Sequence, residues 1–371
     1  MSIIPYGRQY IDDDDVRAVV EALRSDYLTT GPRIDGFETS VREFCGAAHG
    51  VAVMNGTAAL HAAMFALNIG PGDEVIVPPM TFAASANCVL YQGGAPVFCD
   101  VDPATLLIDP ASAEARITER TKAIIGVDYA GQPCDWPRLR EIADRHGLAL
   151  VADGCHALGA TLDGRPVGGL ADMTVFSFHP VKHVTTGEGG MVVTDDAGLA
   201  ARLRLFRNHG ITTDARTRDT AGAWFYEMTE LGYNYRMTDI QAALGESQMR
   251  KLPGFLRRRR EIAAVYDERF AGTAVRPLKV RSGAVHAYHL YVVRLDGRDE
   301  VYRKLREAGI HAQVHYIPVH LHPYYRERLG TGEGLCPAAE AAYREILSLP
   351  MFPALTDENL DYVIRTLLEV A

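Results

Sequence analysis

Short, continuous apolar runs recur along the first half of the chain, and segments with helical spacing separate them. These runs predict strands at 50–54, 74–77, 95–99, 123–127, 148–152, 173–178 and 190–194. Runs without polar alternation are typical of parallel strands that are covered on both faces. Helices between such strands form right-handed crossovers, so we expect an α/β fold around a mostly parallel sheet of seven strands.

The pattern changes after residue 245. A long charged helix is predicted over 241–270, and we interpret its run of four arginines, 257–260, as a solvated face. Residues 286–294 alternate as a half-buried strand does, and helices are predicted at 301–308, 337–346 and 357–370. We therefore expect a large α/β domain over 1–245 and a smaller C-terminal α+β domain over 246–371.

The composition limits the kinds of protein this can be. The 371 residues are 47% hydrophobic and 23% charged, as expected for a globular protein, and the net charge is −9. That charge disfavours binding to nucleic acid or to anionic membranes. The six cysteines include no C-x-x-C pair, which predicts free thiols. The sequence has no apolar leader and no run of 18 apolar residues, so we expect a cytoplasmic location.

The first motif with chemical potential is Asn55-Gly56-Thr57-Ala58, where a strand turns into a helix. The free N–H groups of a helix start can bind phosphate, and the Thr57 hydroxyl would cap the helix and add a donor. An ordinary capped helix is the alternative. The sequence has no ATP-type phosphate loop and no dinucleotide fingerprint after a strand, so both of those sites are disfavoured.

Two further motifs bring a carboxylate and an amine. Asp153 ends the strand at 148–152, where α/β sheets bind ligands, although a metal-binding or helix-capping aspartate fits equally well. Lys182 lies on a turn between two apolar strands, five residues after Ser177. Most lysines are surface residues, but one held in a pocket loses pKa and becomes a usable nucleophile.

A fourth motif is the aromatic loop at 231–242, which carries Asn234 and Arg236 and leads into the long helix. By itself it would be a surface loop or an interface segment. Together the four motifs predict a site for pyridoxal 5′-phosphate (PLP): a lysine for the Schiff base, an aspartate for the ring nitrogen and a helix start for the phosphate.

The chain resembles the DegT/DnrJ/EryC1/StrS sugar aminotransferases, which are fold-type-I PLP enzymes related to aspartate aminotransferase. The resemblance covers essentially the whole chain. Its motifs are N-G-T-A-A-L-H, P-P-M-T-F-A-A-S-A-N, A-D-G-C-H-A-L-G-A, F-S-F-H-P-V-K-H-V-T-T-G-E-G-G, G-Y-N-Y-R-M-T-D-I-Q-A-A-L-G and H-Y-I-P-V-H-L-H-P-Y-Y-R.

The resemblance implies a role for each matching residue. Lys182 would carry the cofactor as a Schiff base and move the proton, and Asp153 would keep the ring nitrogen protonated. Phe82 would stack on the ring, unless it is a core phenylalanine, and His156 would lie near the phenolic oxygen. Asn234 would reach the phosphate in the neighbouring subunit, which implies a homodimer with shared active sites. The phosphate cup would consist of Gly56, Thr57, Ala58 and Ser177.

The resemblance also suggests a substrate. Glu188 and the segment at 315–326 are most similar to enzymes of pseudaminic acid biosynthesis, which move an amino group from L-glutamate to C4 of a UDP-4-keto-6-deoxy-N-acetylhexosamine. Enzymes that aminate C3 of dTDP-sugars more often carry Asp at position 188. His322 replaces an expected glutamine, which puts substrate contacts in doubt. The implied substrate-binding residues are Tyr6, Glu188, Arg236, His315, Tyr316 and His320.

Three other interpretations are less favoured. A PLP-dependent sugar dehydratase of this fold carries histidine in place of Lys182. A non-catalytic regulator on the same scaffold would not need the full set of site residues, and a nicotinamide oxidoreductase lacks its fingerprint. A metal site at His311, His315, His320 and His322 is also disfavoured, because the Pro-interrupted segment does not place the first pair on one helical face.

Overall fold

The computed structural model describes residues 3–371. It contains a seven-stranded sheet with helices on both faces, and a second, smaller sheet later in the chain. The helices are α1 Asp13–Leu23, α2 Pro32–Cys45, α3 Gly56–Ala66, α4 Ala84–Tyr91, α5 Pro110–Glu114, α6 Trp136–His146, α7 Ala197–Arg207, α8 Ala215–Thr220, α9 Asp239–Phe270, α10 Arg298–Glu307, α11 Pro323–Leu329, α12 Pro337–Glu345 and α13 Asp357–Val370. The strands are β1 Ile4–Pro5, β2 His49–Val53, β3 Glu74–Val77, β4 Ala95–Phe98, β5 Thr121–Val127, β6 Ala149–Asp153, β7 Thr161–Leu162, β8 Arg165–Pro166, β9 Met173–Ser177, β10 Gly190–Thr194, β11 Arg276–Pro277, β12 Ala284–Val285, β13 Tyr291–Arg294, β14 Ile310–His311 and β15 Ile346–Leu349.

The large sheet has the strand order β2-β10-β9-β6-β5-β3-β4. Strand β10 runs antiparallel to both of its neighbours, and the other strand pairs in the sheet are parallel. The fold class predicted from the sequence is therefore confirmed, including the number of strands. Since β2, β3, β5, β6 and β9 point the same way, the residues that follow them meet at one edge of the sheet.

The second core lies around the three-stranded sheet β11-β13-β15. It includes the C-terminal half of α9, with Ile262 and Tyr266, and the inner face of α13. The chain start joins it, because β1 pairs in parallel with β14. Helix α9 passes without interruption through residue 245 and packs on α1 and α2 at its other end. The division into 1–245 and 246–371 remains a prediction.

Two sequence predictions about the second half are wrong in part. Residues 291–294 form strand β13, but 286–290 form a turn in which Tyr288 has a φ of +49°. The turn pairs instead with a distant loop, since Ala287 N–H donates to Gly131 and Leu290 N–H to Ala130. Within the arginine run, Arg259 is fully buried, and its guanidinium donates to three backbone carbonyls, those of Tyr288, His289 and Met351. The prediction of a solvated face is therefore wrong for Arg259. Its carbonyl acceptors compensate for the burial of the guanidinium charge.

Within residues 3–371, none of the helices combines the length and the apolar character that a membrane span requires.

Candidate active site

A cavity of about 470 Å³ lies at the edge of the large sheet where the parallel strands end. Most of the residues predicted from the sequence meet there. The predicted residues that line it are Tyr6, Gly56, Thr57, Phe82, Asp153, His156, Ser177, Lys182, Glu188, His315 and Tyr316. The strand ends bring them together although they are spread over more than 300 residues of sequence.

Helix α3 begins at one end of this cavity. Its cap is Asn55, whose side-chain oxygen accepts from Ala58 N–H at 2.8 Å, so the prediction that Thr57 caps the helix is wrong. The Thr57 side chain is thereby left to line the cavity. A Cβ on Gly56 would lie 3.0 Å from Ser177 Cβ and 3.4 Å from Cys155 Sγ, so glycine keeps the space beside Ser177 open. The first helical N–H groups have no intrahelical partner and form a natural anion site.

Asp153 is buried at the end of β6. Its carboxylate accepts from the Ser85 hydroxyl at 2.6 Å and from Cys155 N–H at 3.2 Å. No lysine or arginine of residues 3–371 forms a salt bridge with it. A buried carboxylate at a cavity wall, held by neutral donors alone, is suited to a cationic group that enters with a ligand, such as a protonated ring nitrogen.

Lys182 lies in the loop after β9, on the cavity wall. Desolvation lowers the pKa of its amine below the ordinary value, and the neighbouring Cys155 and Asp153 oppose this in part. Its Nζ lies 3.4 Å from His289 Nε2. A lysine whose amine is more readily neutral is a better nucleophile and base, as a cofactor-binding lysine must be.

His156 and Tyr316 form a second polar pair in the cavity. Ala130 N–H donates to His156 Nδ1 at 3.3 Å, so the proton of the neutral imidazole is on Nε2, which lies 3.1 Å from the Tyr316 oxygen. Burial lowers the pKa of His156 well below its usual value and keeps the ring neutral. When His156 Nε2–H donates to the Tyr316 oxygen, the Tyr316 hydroxyl keeps its own proton as a donor for a bound ligand.

The remaining cavity residues define its mouth. Phe82 is 61% exposed and is not a core residue, and its ring centroid is 6.2 Å from that of Tyr316. Tyr6 packs on His315 with ring centroids 5.0 Å apart. His315 Nδ1 lies 2.9 Å from the Ser348 hydroxyl, and burial lowers the pKa of His315 to about 3. Glu188 is exposed at the rim.

Four predicted site residues lie outside the cavity. Ala58 is buried, and its backbone N–H donates to the Asn55 side chain. His320 is fully buried, with Nε2 2.9 Å from a carboxylate oxygen of Glu340. Asn234 is exposed on the surface of this chain, and Arg236 Nη1 donates to Asn208 at 2.9 Å. The single chain does not bring these residues to the ligand site.

Three residues at or behind the cavity wall were missed in the sequence, namely Ser85, Cys155 and His289. Ser85 lies within the motif T-F-A-A-S-A-N, so the sequence does carry a signal for it. His289 falls in a segment whose alternation indicated a strand, and local sequence carries no signal for its position.

The residues of this cavity fit PLP. The observations that support the fit are the space kept open by Gly56 at a helix start, the buried carboxylate without a cation, and the desolvated lysine. A large, mostly parallel sheet with these groups at the carboxyl ends of its strands defines the class of fold-type-I PLP-dependent transferases.

Comparisons with known proteins identify the family. The chain matches the DegT/DnrJ/EryC1/StrS aminotransferase family over residues 9–368. It is 41% identical to the spore coat polysaccharide biosynthesis protein SpsC of Bacillus subtilis, over 99% of this chain and 97% of that protein. The chain therefore belongs to this family, whose aminotransferases depend on PLP.

Solved structures agree. The putative sugar aminotransferase Spr1654 of Streptococcus pneumoniae, in its PMP form, superposes with a TM-score of 0.94 at 35% identity, over 99% of this chain and 98% of that one. Helicobacter pylori PseC, an aminotransferase of pseudaminic acid biosynthesis, superposes with a TM-score of 0.93 at 33% identity, over 100% and 99% of the two chains. These similarities confirm the predicted family, fold and cofactor.

Proposed function

We propose that this chain transfers an amino group from L-glutamate to C4 of a UDP-linked 4-keto-6-deoxy-N-acetylhexosamine, in a pathway of the pseudaminic acid type. Membership of the family supports transamination of a sugar, and the PseC-like segment at 315–326 supports this sugar. The observation that carries the proposal is the presence of Lys182, Asp153, His156, Ser177 and Phe82 around one cavity.

PLP, when bound, supplies an electron sink that makes the carbon next to the transferred nitrogen acidic. Lys182 is the residue we assign to hold the cofactor and to carry the proton between carbon positions, and its lowered pKa favours the neutral amine that the proton transfer requires. Asp153 would hold the ring nitrogen, and the start of α3 with Thr57 and Ser177 would hold the phosphate.

His156, Phe82 and Tyr316 orient the bound groups in this proposal. Phe82 offers an exposed aromatic face at the cavity mouth, suited to stacking on a planar ring. The His156–Tyr316 hydrogen bond fixes both side chains and leaves the tyrosine hydroxyl as a donor. Tyr6, Glu188 and His315 line the outer part of the cavity and are the residues we assign to the sugar substrate.

A second subunit completes the site in this proposal. Asn234 and Arg236 lie outside the cavity of their own chain, near an exposed aromatic and apolar segment. In that segment Trp224 is 84% exposed, Leu231 76% and Met228 64%. An exposed apolar patch of this kind marks a protein interface. We propose a cytoplasmic homodimer in which Asn234 reaches the phosphate of the partner's cofactor, whereas His320 acts only through its contact with Glu340.

The visible absorption spectrum of the purified protein tests the donor half of the proposal. We expect a yellow band from the lysine-bound cofactor that bleaches when L-glutamate is added, with release of 2-oxoglutarate. A band that glutamate leaves unchanged would exclude this donor. A protein that stays colourless with added PLP would favour the alternative of a non-catalytic regulator.

The acceptor is tested next, with enzyme that glutamate has already bleached. UDP- and dTDP-linked 3-keto and 4-keto sugars are added separately, and return of the yellow band identifies the acceptor. NMR of the product locates the new amine at C3 or C4. We expect the UDP-4-keto-6-deoxy-N-acetylhexosamine to react fastest. Faster reaction of a dTDP-sugar, or amination at C3, would contradict the proposed substrate and favour another UDP- or dTDP-linked keto sugar.

A further inference from the structure

His289 is buried beside Lys182, and its ring makes one polar side-chain contact. Its Nε2 lies 3.4 Å from Lys182 Nζ, and its Nδ1 has no hydrogen-bond partner among residues 3–371. The ring is only 4% exposed and packs on His156 with centroids 4.4 Å apart. The Lys182 amine is therefore the one polar side-chain group among residues 3–371 that the His289 ring nitrogens contact, and the ring has no other hydrogen bond to hold it.

The backbone around His289 is strained and held from several sides. Tyr288 has a φ of +49°, a conformation that costs about 1–3 kcal/mol for a residue of this size. Gly131, with a φ of +108°, packs directly beneath it, since a Cβ there would lie 2.9 Å from Tyr288 N and 3.0 Å from His289 N. Strain of this kind persists only where the surroundings determine it, and it clusters at functional sites.

A buried arginine fixes the carbonyl side of the same turn. Arg259 Nη1 donates to Tyr288 O at 3.0 Å, to His289 O at 3.3 Å and to Met351 O at 2.9 Å. On the other side, His183 Nε2 donates to Ala287 O at 2.9 Å. The turn therefore has a single well-determined geometry, and its effect is to present the His289 ring to the lysine.

We infer that His289 is a further catalytic residue, which accepts a hydrogen bond from the Lys182 amine at Nε2 and holds that amine in place while it is not bonded to the cofactor. The inference rests on the role proposed above for Lys182. Lys182 gains one proton at Nζ and later returns it, while His289 exchanges none.

The chemistry of the surroundings fits an acceptor that does not become a base. Burial lowers the pKa of His289 well below its usual value, and the positive charges of Lys182 and Arg259 act in the same direction. A ring that stays neutral can orient the lysine without taking the proton that the lysine must deliver. The acceptor also stabilises the ammonium form of Lys182 against the desolvation that favours the neutral amine.

Other titratable groups around Lys182 have to be accounted for in any test. Asp153 and Cys155 raise the pKa of the amine. The histidines that face Lys182 are His156, His179, His183 and His315, together with His289 itself. Burial lowers the pKa of each histidine, so all are neutral above pH 7 and none of them changes charge while the Lys182 amine is titrated above that pH.

The test is the reactivity of Lys182 in the full-length protein after removal of the cofactor. Competitive acetylation across pH 6–11, read by mass spectrometry of the Lys182 peptide, gives the pKa of its amine. We expect His289→Leu to lower that pKa by about one unit, because the ammonium loses its acceptor. His289→Gln places an oxygen near the Nε2 position, so we expect the pKa of the Lys182 amine in this variant to stay close to its value in the unmodified protein.

Two further variants separate this role from packing. In His289→Asn the amide oxygen occupies the Nδ1 position and cannot reach Lys182. We therefore expect the pKa of Lys182 to fall as it does in His289→Leu. The asparagine variant provides this test if the leucine variant folds poorly. His286→Asn changes a buried histidine in the same turn and retains an acceptor for Tyr288 N–H. It should leave the Lys182 titration unchanged.

In the holoenzyme, we expect kcat to fall about tenfold in His289→Leu and to recover in His289→Gln, with KM for the donor little changed.

The outcomes are distinguishable. An unchanged Lys182 titration in both His289→Leu and His289→Asn, or equal damage from Gln and Leu, would overturn the role of His289. If the yellow band persists in Lys182→Ala, then the role proposed for Lys182 has failed instead, whatever the His289 variants show.

Discussion

The Ser85 hydroxyl donates a 2.6 Å hydrogen bond to Asp153, across 68 residues of sequence. Ser85 is itself fully buried and lies 2.7 Å from the Thr81 hydroxyl, so a short chain of hydrogen bonds leads from the segment after β3 to the end of β6. The chain of donors compensates for the burial of the carboxylate and fixes the side chain that we assign to the cofactor ring.

Removal of this donor should weaken the site without unfolding the protein. A hydrogen bond to a charged group contributes about 1.5–3 kcal/mol, so we expect Ser85→Ala to lower kcat/KM by roughly 10- to 100-fold. Cofactor affinity, measured by titration of the visible band, should fall with it. Ser40→Ala removes a hydroxyl that bonds only within α2 and serves as the control. Equal activity of the two variants would contradict a role for Ser85.

Lys182→Ala should abolish turnover. Since Lys182 is assigned both the attachment of the cofactor and the proton transfer, we expect kcat to fall by at least about 10³-fold. The yellow band of lysine-bound cofactor should also be lost. Lys122→Ala removes an exposed lysine on β5 and should leave both unchanged. Substantial steady-state activity in Lys182→Ala would refute the assignment.

Shared active sites can be tested by mixing two inactive variants. We expect Asn234→Ala and Lys182→Ala to be impaired separately. In a mixed dimer, one site combines Lys182 from one chain with Asn234 from the other and is therefore complete, so unfolding and refolding an equal mixture should restore about a quarter of full activity. A mixture of Lys182→Ala and Asp153→Ala, whose losses we place in the same chain, should recover none. Absence of recovery in the first mixture would argue against the shared site.

Gly190 allows close approach of β10 to the start of α3. A Cβ at this position would overlap the carbonyl group of Asn55, which caps α3. Overpacking against backbone costs about 1–3 kcal/mol, so Gly190→Ala should lower the free energy of unfolding by that amount and weaken cofactor binding as the helix start moves. Gly70→Ala, where nothing lies within 4 Å of the new Cβ, is the control. Denaturant titration of both variants provides the measurement.

His286 should make the fold sensitive to acid. Burial, together with the charge of Arg260, lowers the pKa of His286 to about 3, whereas an unfolded chain protonates histidine near pH 6.5. Between those values the unfolded state binds a proton that the folded state does not, so stability falls as the pH is lowered, by about 1.4 kcal/mol per pH unit. His286→Asn should lower the slope between pH 6 and 4 by up to that amount, while other buried histidines such as His315 keep their share, and exposed His146→Gln should leave the slope unchanged. Unfolding free energies across that range measure the slopes.

Local sequence predicted much of the large sheet. The bounds of β3 and β10 agree with the predicted strands, because a continuous apolar run of four or five residues between turn signals has few other solutions in a folded chain. The family motifs likewise identified Asp153, at the end of β6, and Lys182, in the loop after β9, and both line the cavity. In both cases the information is contained within a short stretch of chain.

Tertiary structure decided what depends on distant partners. Arg259 belongs by sequence to a charged run, but three carbonyls from two other segments accept its N–H groups and allow its burial. His289 lies in an alternating pattern, but the positive φ of Tyr288 and the bonds to the Gly131 loop replace the expected strand with a turn. Free energies of burial and of long-range hydrogen bonds outweigh local propensity at such places, and no window of sequence contains them. The sequence by itself thus determined the sheet, the cofactor and the lysine, whereas the fold alone decided which buried groups surround that lysine.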